Sequence, residues 1–112
     1  MTTALRQRSP AFKSTMLRQS ARGRECTVCL PNCNQDPETT VLAHLNFDGG
    51  TMAGKSDDFS ACFACSSCHE AIDRHEIDPL YRSDILARAL VRTQKIWFNT
   101  GLLVVSGKGR RK

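Results

Sequence analysis

Six cysteines in 112 residues constrain this fold most, because so short a chain can build only a small hydrophobic core. They fall into two groups, ECTVCLPNC at residues 25–33 and CFACSSC at residues 62–68. The first 24 residues contain no apolar stretch or cleavage site typical of a secretion signal. We therefore expect reduced thiols that bind a metal rather than form disulfides, and a domain held together by structural zinc.

The cysteine spacing supplies two pairs of candidate zinc ligands. Tetrahedral zinc takes four thiolate or imidazole ligands, and two short turns can each provide two of them. In the second group Cys65 and Cys68 are separated by two residues, and Cys68 falls at the start of a predicted helix. In the first group Cys26 can pair either with Cys29 or, across a wider loop, with Cys33.

The apolar pattern predicts a small α+β domain. Residues 39–45 and 59–65 read as two strands, the second of which carries Cys62 as a small inward-facing apolar residue. Residues 46–58 read as a loop. A helix is expected from a cap at Ser66 or Ser67 to about Ile77, and a longer amphipathic helix from a cap at Ser83 to Gly101. Residues 102–105, LLVV, read as a last strand.

Basic residues are concentrated at both ends of the chain, although the net charge is only +5. We expect residues 1–23 to form a mobile arm with at most a short helix at 14–20, residues 24–106 to form the domain, and residues 107–112 to form a tail. Cationic arms suit a polyphosphate partner such as DNA, bound through its backbone. The alternative is that they are solubilising tails. The cationic positions are Arg6, Arg8, Lys13, Arg18, Arg22, Arg24, Lys108, Arg110, Arg111 and Lys112.

Two histidines and one aspartate lie at positions of the predicted strand and helix that suggest a catalytic site. His44 closes the first strand, and His69 and Asp73 are four residues apart on one helix face. A divalent ion on His69 and Asp73 would lie near His44, which could deprotonate a water molecule. The alternatives are that His44 is a core histidine or another zinc ligand, and that His69 and Asp73 are a solvated helix face.

Three segments, ARGREC, PETTVLAH and CSSCHEAIDR, resemble the YbcO-like nucleases of phages and prophages over about Leu17 to Trp97. The whole pattern is similar to HNH endonucleases of the ββα-metal type, in which a treble-clef zinc site braces a catalytic hairpin and helix. The resemblance implies such a fold with an added C-terminal amphipathic helix.

The same resemblance implies roles for individual residues. His44 corresponds to the general base, His69 to a ligand of the catalytic metal, and Asp73 to the matching acidic position. It favours Cys33 over Cys29, so that the implied structural Zn²⁺ ligands are Cys26, Cys33, Cys65 and Cys68. The catalytic ion would be Mg²⁺ or Mn²⁺, with Zn²⁺ or Ni²⁺ as other options.

Two positions depart from the HNH pattern. Many HNH enzymes place a metal ligand directly before the general base, where this chain has Ala43, and the usual asparagine before the cysteine pair is missing. Asp58 could orient His44 or bind the metal instead. His75 is a further candidate ligand.

The residues and the resemblance together predict an endonuclease that hydrolyses DNA phosphodiester bonds. The resemblance implies that it acts in the cytoplasm of a bacterial host. The alternatives are a zinc-braced DNA-binding protein without catalysis and a protein-interaction adaptor that uses the helix carrying Trp97. No run approaches the roughly 18 apolar residues of a membrane span, so we expect no membrane partner. A homodimer is possible.

Overall fold

The structure, a computed structural model, describes residues 11–45 and 57–106. It contains two strands and three α-helices, which confirms the predicted small α+β class. In chain order the elements are α1 (Thr15–Gln19), a 3-10 helix (Pro37–Thr39), β1 (Val41–His44), β2 (Ala61–Ala64), α2 (Ser66–Asp73) and α3 (Pro79–Asn99). Within these residues no helix is both long and apolar enough to cross a membrane.

The two strands pair antiparallel, as predicted, and each face of the pair covers a different core. Leu42 lies opposite Phe63, and Ala43 lies opposite Cys62. Successive strand residues point to opposite faces, so Ala43 and Cys62 enter one core while Phe63 enters the other. All four residues of β2 have no exposed surface. The strand pair is therefore the middle layer of the domain.

Helix α2 is capped by a sulfur atom rather than by the serine predicted from the sequence. The Cys65 side chain is the N-cap, and it accepts a hydrogen bond from the Cys68 amide at 3.4 Å. The helix ends at Asp73, four residues before the predicted end at Ile77. His75 has a left-handed φ of 57°, a conformation that cannot continue the helix.

Helix α3 begins earlier than the sequence analysis predicted. Asp78 is its N-cap, with its side chain accepting from the Leu80 amide at 2.9 Å, and Pro79 is the first helical residue. Proline is favoured in the first turn of a helix because it lacks the N–H that would be unpaired there. The predicted cap at Ser83 is therefore wrong.

The end of α3 confirms the predicted glycine cap but not the predicted strand. Gly101 has a φ of 86°, and the amides of Gly101 and Leu102 donate to the carbonyls of Phe98 and Trp97 at 3.3 and 2.8 Å. This is the hydrogen-bond pattern of a Schellman cap. Residues 102–105 form no strand, because the Leu103 amide also donates to Trp97 at 3.1 Å instead of pairing with β1 or β2.

The N-terminal segment differs from the expected mobile arm in the part that is described. Leu17 and Ala21 are buried with Phe63 and Trp97, and the Trp97 indole N–H donates to the Ser20 hydroxyl at 2.7 Å. Helix α1 falls inside the predicted 14–20 range, and its apolar positions are too few to reveal a core contact in the sequence. Predictions for residues 1–10, 46–56 and 107–112 lie outside the described residues.

A buried carboxylate attaches this segment to the strand pair. Asp58 is fully buried, and its Oδ2 accepts from the Ser14 amide at 2.6 Å and from Arg18 Nε at 3.0 Å. Its Oδ1 lies 2.8 Å from His44 Nε2. Burial tends to raise the pKa of Asp58, but hydrogen bonds from His44, the Ser14 amide and Arg18 outweigh it and lower the pKa below its usual value. Asp58 is therefore an anion in the folded protein.

We expect Asp58→Asn to lower the free energy of unfolding by about 3 kcal/mol at pH 7, because a buried, multiply hydrogen-bonded charge is lost. A carboxyl whose pKa falls on folding stabilises the protein fully above its unfolded pKa of about 3.9, and this contribution is lost as pH falls through the lower folded value. The loss of stability caused by Asp58→Asn should therefore be equal at pH 7 and pH 6. Urea unfolding with zinc in equal excess measures it.

Asp84→Asn is the matched control, since Asp84 pairs with Arg88 at 3.0 Å on the exposed side of α3. Loss of this ion pair should lower the free energy of unfolding by less than about 1 kcal/mol. An Asp58→Asn variant as stable as the control would contradict the anchoring role of Asp58.

Candidate functional site

Four of the six cysteines converge on one point. The Sγ atoms of Cys26, Cys33, Cys65 and Cys68 all lie within 4.8 Å of one another, and that of Cys65 is 3.7 Å from that of Cys33. With Zn–S bonds of about 2.3 Å, neighbouring sulfurs of a tetrahedral site are about 3.8 Å apart. The four thiols therefore fit a single tetrahedral metal ion.

The loop that carries Cys26 is attached to β2 through a buried hydrogen-bond network. The Thr27 amide and hydroxyl both donate to the Phe63 carbonyl, at 2.8 and 3.0 Å. The Thr27 and Thr93 hydroxyls are 2.9 Å apart, and Thr93 accepts from the Phe63 amide at 3.1 Å. The position of Cys26 is thus fixed by polar contacts to β2 and α3.

Cys29 and Cys62 lie outside the group of four. Cys29 is exposed, has a left-handed φ of 55°, and donates from its thiol to the Cys26 carbonyl at 3.2 Å. Its amide donates to the Cys26 sulfur at 3.5 Å. Cys62 belongs to β2 and is fully buried, and burial raises the pKa of its thiol to about 12. This arrangement agrees with the pairing of Cys26 with Cys33 that the resemblance implies. It also agrees with the interpretation of Cys62 as a small, inward-facing apolar residue.

Three of the four thiols, Cys33, Cys65 and Cys68, differ in how readily they ionise. Burial raises the pKa of Cys33 and, more strongly, that of Cys68. Burial acts in the same direction on Cys65, but hydrogen bonds, led by those from the Cys68 and Asn34 amides, lower its pKa to about 6. Of these three, Cys65 is therefore the thiolate most available to a metal at neutral pH. The remaining protons would be displaced by the ion, as expected when metal binding and folding are coupled.

His44 is oriented by the Asp58 anion. An ionised carboxylate only accepts hydrogen bonds, so the 2.8 Å contact places the proton of a neutral His44 on Nε2. The other ring nitrogen, Nδ1, then carries a lone pair. The His44 side chain is 34% exposed, so solvent can reach the imidazole that carries this lone pair. This contact is one of the two roles that the sequence suggests for Asp58, the other being that of a metal ligand.

His69 and Asp73 lie side by side on α2. His69 Nε2 is 3.6 Å from Asp73 Oδ2, and both side chains are exposed. Two ligands bound at about 2.1 Å to one ion are roughly 3.0–3.5 Å apart, so a small side-chain adjustment would accommodate a shared ion. Among residues 11–45 and 57–106, the four cysteines are the only group of three or more potential ligands. Any ion at His69 and Asp73 would therefore need solvent or substrate oxygens.

The candidate site residues line two cavities, and Asp73 is part of the lining of both. One, of about 290 Å³, is lined by His44, Asp73, His75 and Arg82 among others. The second, of about 500 Å³, is lined by His69 and again by Asp73. The structure thus brings the candidate base, one candidate ligand and His75 to the same cavity. Sequence reasoning missed Arg82, because a lone arginine on an amphipathic helix has no distinguishing spacing.

Comparison with known proteins identifies relatives over most of the chain. The family model described as "Putative nuclease YbcO" matches residues 15–102. The chain is 45% identical over 91 residues to "Putative nuclease YbcO" of Escherichia coli strain K12, a match that covers 78% of this chain and 95% of that protein. "Putative nuclease ybcO" of Enterobacteria phage 82 matches with the same identity and coverage.

A solved structure agrees with the sequence relatives. "Structure of a putative bacteriophage protein from Escherichia coli str. K-12 substr. MG1655" superposes with a TM-score of 0.64 at 43% identity. The match covers 77% of this chain and all of that chain. Since the family model spans both cysteine groups, His44 and α2, the chain belongs to the family described as "Putative nuclease YbcO".

Proposed function

We propose that the protein is an HNH-type endonuclease that hydrolyses phosphodiester bonds in DNA. The observation that supports it most is the His44–Asp58 pair, a solvent-accessible base oriented by a buried anion, beside a cavity that Asp73 also lines. Membership of a nuclease family supports a nucleic-acid substrate. The HNH assignment rests on the order of His44, the cysteine pair and His69 along the chain.

His44 would be the general base. Its Nδ1 would take one proton from a water molecule as the water oxygen bonds to phosphorus and the bond from phosphorus to the 3′ oxygen breaks. The leaving 3′ oxygen would take a proton from solvent, so that the products are a 3′-hydroxyl and a 5′-phosphate. Asp58 would hold the productive tautomer and stabilise the imidazolium that forms.

His69 and Asp73 would hold the catalytic divalent ion, Mg²⁺ or Mn²⁺, with Zn²⁺ or Ni²⁺ as other options. Bound there, the ion would neutralise charge on the phosphate and on the leaving oxygen. His75 is exposed and lines the same cavity as His44, which makes it a candidate for contact with substrate or metal.

The four-cysteine group would hold structural zinc within a treble-clef-like ββα-metal fold. Cys26 and Cys33 come from the loop before β1, whereas Cys65 and Cys68 come from the start of α2. A zinc ion there would tie the loop to the helix that carries His69 and Asp73. Its role would be to fix their position relative to His44.

A DNA-binding protein without catalysis is the second candidate, and Ala43 favours it. Many HNH enzymes place a metal ligand immediately before the general base, but Ala43 is 1% exposed and packs in the core beside Cys62. The ion would then depend on His69, Asp73 and solvent. This candidate predicts DNA binding and no cleavage with any divalent ion.

We expect one zinc per chain, retained in Cys29→Ser and lost in Cys33→Ser. Cys29 is the matched control, because it lies in the same loop but outside the group of four. Structural zinc stabilises small domains by as much as about 10 kcal/mol, so Cys33→Ser should be largely unfolded. Elemental analysis and circular dichroism measure both effects. Loss of zinc from Cys29→Ser alone would reverse the ligand assignment.

We expect plasmid DNA to be nicked with Mg²⁺ or Mn²⁺, and His44→Gln to be slower by roughly 10²–10⁴-fold, because glutamine can donate to Asp58 but cannot accept the proton. Quantified agarose gels of supercoiled plasmid give the rates. Zinc content and thermal stability should match those of the wild type, which separates lost chemistry from lost folding. Equal rates in the two proteins would exclude His44 as the base.

A further inference from the structure

Arg82 contains a buried nitrogen without a hydrogen-bond partner. Its terminal NH1 has essentially no exposed surface and no partner in the part of the chain that the structure describes. Buried polar groups are nearly always paired, and an unpaired charged donor is especially costly. No contact among the described residues explains why this nitrogen is unpaired, and the guanidinium has further N–H donors that can bind an anion.

The other arginines of α3 show what a structural arginine looks like in this helix. Arg88 Nε pairs with Asp84 at 3.0 Å, and Arg92 NH1 donates to the Thr27 carbonyl at 2.8 Å. Arg82 instead lies in the first turns of α3, where the positive end of the helix dipole disfavours a cation. Arg82 is therefore unfavourably placed for two independent reasons: NH1 is unpaired, and the side chain lies near the N-terminus of a helix.

The cavity that Arg82 lines is the one beside the candidate base. His44 and Asp73 lie on the same cavity of about 290 Å³. A ligand there would meet a base, a guanidinium and the edge of the candidate metal site. A tetrahedral anion with two free oxygens suits this set, because one oxygen can accept from Arg82 while the other faces the metal site.

We propose that Arg82 binds a non-bridging oxygen of the phosphate that is cleaved, and that it adds positive charge beside a metal site that has no ligand at Ala43. This rests on the proposed nuclease function. A guanidinium beside the phosphate would offset the negative charge that grows as the water oxygen adds to phosphorus. It would act from α3, whereas the base acts from β1 and the metal ligands act from α2.

The proposal is tested with Arg82→Ala, Arg82→Lys and the control Arg88→Ala, each in the full zinc-loaded chain. Single-turnover nicking rates are measured with Mn²⁺, and duplex affinity is measured by fluorescence anisotropy with Ca²⁺. We expect Arg82→Ala to reduce the nicking rate by roughly 10²–10³-fold, and Arg82→Lys to restore part of it. Arg88→Ala should stay within about threefold of wild type, because Arg88 pairs with Asp84 on the exposed side of α3.

Guanidinium rescue separates phosphate contact from a structural role. Millimolar guanidinium ion should raise the nicking rate of Arg82→Ala by at least about tenfold and leave those of wild type and Arg88→Ala unchanged, since the free ion can occupy the vacated cavity. If Arg82→Ala is unstable, the nicking rate of Arg82→Lys, which keeps the positive charge, is compared with that of the wild type instead. Wild-type rates in both Arg82 variants would overturn the proposal.

The same measurements distinguish failure of this proposal from failure of the nuclease function. Nicking that requires His44 but is indifferent to Arg82 overturns the arginine assignment alone. If no protein nicks DNA, Arg82→Ala should still weaken duplex binding and reduce its salt dependence by about one phosphate contact. Unchanged binding in that case would overturn the proposal together with the nuclease function.

Discussion

The sulfur of Cys65 is the point on which the rest of the structure depends. It caps α2 through the Cys68 amide, and it lies 3.7 Å from the Cys33 sulfur. It also directly follows the buried strand β2. One atom therefore determines where the strand ends, where the helix starts and how close the N-terminal cysteine loop lies. Few contacts of a small core could perform all three tasks, which is why a chain of this length needs the cysteine group.

Asp58 performs a second, electrostatic role that connects stability with chemistry. The same carboxylate accepts from the Ser14 amide and Arg18 Nε, which attach α1, and faces His44, the candidate base. A substitution that disturbs α1 therefore also disturbs the orientation of His44. In a larger protein these two roles could be distributed over different residues. Here the N-terminal segment is part of the site, although no residue of α1 is itself a candidate for chemistry.

Much of the fold was predictable because it depends on local patterns. The cysteine spacing, the β-branched and apolar strands and the long apolar stripe of α3 each involve residues close in sequence. The resemblance to known nucleases was needed to choose Cys33 over Cys29. What could not be predicted depends on long-range contacts: the docking of α1 on Trp97, and the unpaired nitrogen of Arg82. The LLVV segment was misread because two carbonyl contacts to Trp97 outweigh its strand propensity.

The complete burial of β2 also restricts how this domain can vary. Three of its four residues, Ala61, Cys62 and Ala64, are small, and the strand lies between two separate cores. An added methyl group on either face would push a neighbouring layer outward, because close-packed interiors have little free volume. Since one layer carries α2 and the other carries α1 and Trp97, such a change would alter the gap between them. The small side chains of β2 thus act as the spacer that sets the distance between the layer of α2 and the layer of α1 and Trp97.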